Sequence, residues 1–132
     1  MKRSRPKKKS RKASSYYREL DALTRQKVVV ERDGNQCVRC GKSAPEYKID
    51  WSHVYSRANR AIRWHPYNSK ALCFHCHKWY GENPLDSAQW FQQKFPYRYA
   101  RLQELKHEVA PPIEVQYEQV LLQLTSPNGA ER

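Results

Sequence analysis

Two Cys-x2-Cys pairs, Cys37/Cys40 and Cys73/Cys76, constrain this chain more than any other feature. Two residues between cysteines form a turn tight enough to bring both sulfurs to one ion. A second such turn completes a tetrahedral shell of thiolates. A cage of this kind fastens together segments that lie far apart in the sequence. The chain needs such a fastening: with 132 residues, 39% hydrophobic and 29% charged, it has little material for a large core. The alternative, two disulfides, requires an oxidising compartment. The start, Met1-Lys2-Arg3-Ser4-Arg5-Pro6, continues into lysines without the apolar segment of a secretory signal. No apolar run reaches membrane-spanning length. The expectation is a structural Zn2+ on Cys37, Cys40, Cys73 and Cys76, with no membrane partner and a cytoplasmic location.

Charge narrows the partners. The chain carries +12, which attracts polyanions and nucleic acid above all. The charge is uneven: Lys2, Arg3, Arg5, Lys7, Lys8, Lys9, Arg11 and Lys12 crowd the first 13 residues, and without those eight the rest carries +4. Residues 1–14 therefore read as a disordered basic arm that contacts phosphates non-specifically or only solubilises the chain.

The spacing predicts a helix over residues 16–32, with Leu20, Leu23, Lys27 and Val30 on one face and Asp33-Gly34 as its stop. Alternation over residues 47–55 predicts a strand, and residues 61–64 a short strand pairing back on it. The second knuckle should open a short helix ending at Gly81. Asn83-Pro84 reads as a cap and first helical residue. Helices follow over residues 85–95, 97–108 and 113–124. Two strands, a loop and a metal-bearing helix make a ββα unit.

Between and beside the knuckles lie residues suited to phosphodiester hydrolysis. A neutral imidazole accepts a proton from water near neutral pH, and His53 is the candidate base. An amide on its other ring nitrogen would aim it, a part that fits Asn68. His77, directly after Cys76, is the candidate ligand for a catalytic divalent ion: Mg2+, Mn2+, Ni2+ or Zn2+. Arg57, Arg60 and Arg63 share one loop and, with Lys78, suit DNA phosphate contact. Each residue also has a plainer reading. His53 could be a packed core histidine, Asn68 a turn residue, His77 a surface histidine, and the arginines a solvated loop.

The order Cys-x2-Cys, strand His, Asn, then Leu72-Cys73-Phe74-His75-Cys76-His77 resembles the HNH endonuclease family over roughly residues 30–83. A looser pattern (Ser52-His53, Ser56-Arg57, Ala61-x-Arg63-Trp64, Asn68, Cys73-x2-Cys76, Gly81-x-Asn83) is similar to phage NinG-type recombination proteins. The resemblance implies a ββα-metal core with His53 as general base, Asn68 as the residue that orients it, and His77 as catalytic-ion ligand. It also implies DNA as substrate and a phage or bacterial intracellular setting, with phage recombination or packaging proteins, or a second copy, as further partners. Many members place Asp or His directly before the base as a metal ligand. Here that position is Ser52; the nearest carboxylate, Asp50, is a candidate ligand of the catalytic ion, but on a regular strand it points away from His53 and could serve only if the strand is bulged or ends there.

The fold expected is therefore α+β: a zinc-stapled ββα-metal domain over residues 15–83, flanked by the basic arm and a C-terminal helical extension over residues 84–132. The function expected is metal-dependent DNA cleavage, by nicking or cutting. The alternative is a zinc-stapled DNA-binding accessory module without catalysis.

Overall fold

The computed structural model describes residues 11–127 and 129–130. Helix α1, Ala13–Arg25, buries Leu20 and Thr24, and the Thr24 hydroxyl donates to the Leu20 carbonyl at 2.6 Å. The chain continues without a break into a π-helical stretch, Gln26–Arg32. This wider coil explains a departure from the predicted face. Regular winding turns successive side chains about 100° apart, whereas here the neighbours Val28 and Val29 are both wholly buried and Leu23, Lys27 and Val30 only partly.

The predicted arm reaches less far than expected. Residues 13 and 14 belong to α1, and the Arg11 guanidinium pairs with Glu19 and lies 4.0 Å from the Tyr16 ring centroid. Residues 1–10 lie outside the described residues.

Arg32 and Asp33 end this arm of the fold and fasten it to the sheet. Both side chains are nearly inaccessible and ion-paired at 2.9 Å. Arg32 also donates to the carbonyls of Pro66 and Ser69 at 2.7 and 2.8 Å, while the Asp33 carboxylate accepts from the Ala71 amide at 2.9 Å. A buried ion pair repays its desolvation only when its remaining donors and acceptors are satisfied, as they are here.

The sheet has two antiparallel strands, β1 (Ile49–His53) and β2 (Ser69–Cys73), with Ile49 opposite Cys73, Trp51 opposite Ala71 and His53 opposite Ser69. Residues 61–64, the predicted partner of β1, form turns instead. That segment satisfies its own backbone through bonds such as His65 N to Ile62 O at 3.0 Å. It also sends Ile62 and Trp64 into separate apolar clusters. The pairing strand is Ser69–Cys73, all five residues of which are buried. A continuous buried run has no alternation to betray it.

Helix α2, Phe74–Glu82, follows β2 directly, so Cys73 closes the strand and Cys76 lies in the first helical turn. Helices α3 (Pro84–Lys94), α4 (Pro96–Leu105) and α5 (Ile113–Thr125) complete the described chain. Asn83 does not cap α3 through its side chain; its amide donates back to the Trp79 carbonyl at 2.9 Å.

Among the described residues, three apolar clusters hold these elements. The first joins Val28, Val29, Ile49, Ala71 and Leu72 to the cysteines. The second packs Leu20 and Trp64 against Ile113, Val120 and Leu124 of α5. The third sets Ile62 against Phe91, Leu102 and Leu105. The C-terminal helices thus share cores with the residues before them. No helix among the described residues is long and apolar enough to cross a membrane.

Candidate functional site

The four cysteines converge. Their sulfurs all lie within 4.8 Å of one another, and those of Cys40 and Cys73 are 3.6 Å apart. A disulfide would need about 2.05 Å. A tetrahedral shell with Zn–S near 2.3 Å has edges of about 3.8 Å, so the spacing fits a thiolate-bound zinc. The first knuckle is closed by Gly41 N donating to the Cys37 carbonyl at 3.0 Å, with Gly41 at φ +84°, a conformation that disfavours any side chain. The second knuckle is held by the strand-to-helix junction.

Burial pushes the Cys76 thiol up to about 12, against a lowering contribution from Arg39. An entering ion therefore has to displace that proton. Arg39 donates to Cys76 Sγ at 3.4 Å and lies 3.7 Å from the Trp79 ring centroid, which sets a cation beside the thiolates.

The predicted histidines come from two elements tied by this cage. His53 ends β1, and His77 sits on the first turns of α2. Both line one cavity of about 490 Å³, together with Ser52, Arg57 and Tyr80. His53 is mostly buried, its ring packed edge-on against Trp51 at 4.2 Å between centroids. Its Nε2 is inaccessible and has no hydrogen-bond partner among the described residues. Burial first, then the positive charges of Arg57 and Lys70, lower its pKa to about 4. The ring is therefore neutral at physiological pH.

Asp50 lies away from His53, as a regular strand requires, and does not line that cavity. Its carboxylate instead meets His77 Nδ1 at 3.0 Å. A carboxylate on one ring nitrogen fixes the tautomer and leaves Nε2 as the coordinating atom. Asp50 is thus placed to orient His77 rather than to hold an ion beside His53. The two residues, with Lys48, Phe74 and Lys78, border a second cavity of about 270 Å³.

Asn68 does not take the part expected of it. Its side-chain oxygen accepts from the Tyr55 amide at 2.8 Å and its nitrogen donates to the Tyr55 carbonyl at 3.2 Å. Its backbone carbonyl accepts from Val54 N at 2.8 Å. Both ends of the amide are occupied, so Asn68 fixes the chain just after His53 instead of bonding the imidazole. Wholly buried, it acts on His53 through the backbone.

The three arginines divide. Arg63 pairs with Asp21 at 2.8 Å, and Arg60 donates to the Pro111 carbonyl, so both are engaged within the fold. Arg57 is exposed and lines the larger cavity. Lys78 is exposed beside the smaller one.

Sequence reasoning missed Lys70. It is wholly buried in β2 and donates to Ser52 Oγ at 3.0 Å and to the His53 carbonyl at 3.1 Å; its ammonium also lies 3.4 Å from the Tyr80 ring centroid. Burial holds its pKa well below the usual lysine range. One lysine inside a short mixed run gives no pattern signal; only the register opposite Ser52 reveals it. The same contact occupies the Ser52 hydroxyl.

Among the described residues, the cysteines are the one group of three or more His, Cys, Asp or Glu side chains that converge tightly enough to hold an ion. Compared with protein-family models, curated proteins and solved structures, the chain matches none.

Proposed function

We propose that this protein is a small metal-dependent endonuclease of the HNH kind. It hydrolyses DNA phosphodiester bonds in the cytoplasm of a bacterial or phage-infected cell, in recombination or packaging. The observation that carries the reading is the shared cavity: His53 from the strand end and His77 from the helix meet it beside a four-cysteine cage. The order of strand, strand and helix supports the same reading.

His53 is neutral at pH 7 and accepts the proton of the attacking water through Nδ1, since Nε2 is inaccessible. Asn68 and Lys70 hold the backbone on either side of it, which limits how far the ring can wander. Arg57 and Lys78 contact phosphate oxygens. Asp50 holds His77 Nδ1, so that Nε2 is presented as a ligand. His77 Nε2 is the residue atom that would hold a divalent ion in this cavity, and such an ion would supply Lewis acidity at the scissile phosphate.

A second reading is favoured by one observation. Ser52 offers no free ligand, since its hydroxyl is bound to Lys70. This is what a zinc-stapled DNA-binding module without catalysis would also show. Nicking of supercoiled plasmid with Mg2+, Mn2+, Ni2+ or no added ion separates the two. The wild type should nick with at least one ion, and His53→Ala should be slower by about 100-fold or more. A wild type inert with every ion, or a variant that cuts equally well, overturns the endonuclease reading.

A further inference from the structure

The larger cavity holds more than the chemistry of a phosphate needs. Four aromatic side chains line it: Tyr55 just beyond β1, Tyr80 on α2, Phe91 on α3 and Tyr99 on α4. Its volume, about 490 Å³, falls within the range of roughly 300–1,000 Å³ typical of small-ligand pockets. A solvated phosphodiester would call for polar walls. This wall is aromatic, with His53, His77 and Arg57 at the same cavity.

The wall is also held in place. Tyr55 is gripped at its backbone by Asn68, and its hydroxyl accepts from Gln103. The Tyr80 ring is backed by the buried Lys70 ammonium. Phe91 is wholly buried and packs on Phe95 at 5.4 Å between centroids. A pocket fixed before binding loses little freedom when it is filled. Its occupant should be flat and aromatic and joined to an anion, which describes a nucleobase on its own phosphodiester. In a duplex the bases are stacked and paired, so one can enter only if it is unpaired or turned out.

Resting on the endonuclease reading above, we propose that this cavity receives an unpaired nucleobase next to the scissile phosphate. The substrate is then DNA in which a base is unpaired or turned out of the stack, as at a bulge, rather than continuous duplex.

Binding is measured on zinc-loaded His53→Ala without added divalent ion, so that no DNA is consumed. The probes are a perfect duplex, the same duplex with a bulge of three nucleotides, and that bulge with abasic residues. The bulge should bind about tenfold or more tightly than the duplex, and the abasic bulge should lose most of that gain, because base–aromatic stacking supplies it. Adding Ala88→Trp, at an exposed α3 position that lines the cavity, should bring the bulge-to-duplex ratio close to one at unchanged zinc content. Tyr99→Ala serves the same purpose if the tryptophan variant does not fold.

Equal affinity for bulge and duplex, an abasic bulge that binds as well as the intact one, or folded cavity variants that keep the preference would each overturn the proposal. Base-dependent binding by a protein that cuts no DNA would instead uphold the pocket and remove the endonuclease reading.

Discussion

His53 carries most of the chemistry argued for this protein, and its burial has a cost that can be measured. Its pKa near 4, and that of His65, also near 4 through burial and the charges of Arg101 and Arg32, lie below the ordinary value of 6.5. His65 accepts from the Tyr67 amide through Nδ1 at 3.1 Å, a bond that only the unprotonated nitrogen can make. The unfolded chain therefore binds more protons than the folded one between pH 6.5 and 4. The stability tied to the neutral rings is fully present above pH 6.5 and is lost as pH falls toward 4, by at most about 3 kcal/mol for each histidine. Urea midpoints of zinc-loaded protein should fall from pH 7 to pH 5. A His53→Gln/His65→Gln variant should show a flatter profile. A wild type that gains stability on acidification would contradict the assignment.

At the scale of elements, the cage joins the loop before β1 to the junction of β2 with α2, and His77 lies one residue past its last ligand. The protein should bind one zinc per chain. Cys73→Ser should lose that stoichiometry and lower the melting temperature by about 10 °C or more, since zinc binding at such sites is folding free energy. A metal-free wild type that melts at the same temperature would remove the cage from the account. The cage was legible in the sequence because metal geometry dictates a short, fixed spacing of ligands. The strand bearing His53 was legible because Tyr47 to Tyr55 alternate. Its partner was not: β2 is buried along its whole length, and the knuckle at its end draws attention to the helix that follows. Asp50 could be placed on the far side of β1 by strand parity alone. Its bond to His77 required the helix to be in place, as did the engagement of Asn68 with Tyr55 and the capture of Arg60 and Arg63 by the fold. Long-range hydrogen bonds of this kind follow from packing and leave no local mark.

At the scale of the whole molecule, three small apolar clusters among the described residues, with four cysteines placed to hold a metal ion, share the work that a single large core does in bigger domains. On the proposed function, cationic charge outside the site adds to the hold on DNA. Residues 1–10 bring six Lys/Arg. If they contact duplex phosphates, deleting them should reduce the slope of log affinity against log salt by up to about 5. Fluorescence anisotropy across a salt series measures this, and an unchanged slope would exclude the arm from binding.

If a thiolate cage brings His53 and His77 to one ion-and-phosphate pocket, paramagnetic Mn2+ titrated into zinc-loaded protein will act on both rings, which the resonances of its five histidines report. The His53 and His77 signals should broaden together and saturably, well before those of His65 and His107. Broadening of neither ring, of only one of the two, or of all five alike would contradict it.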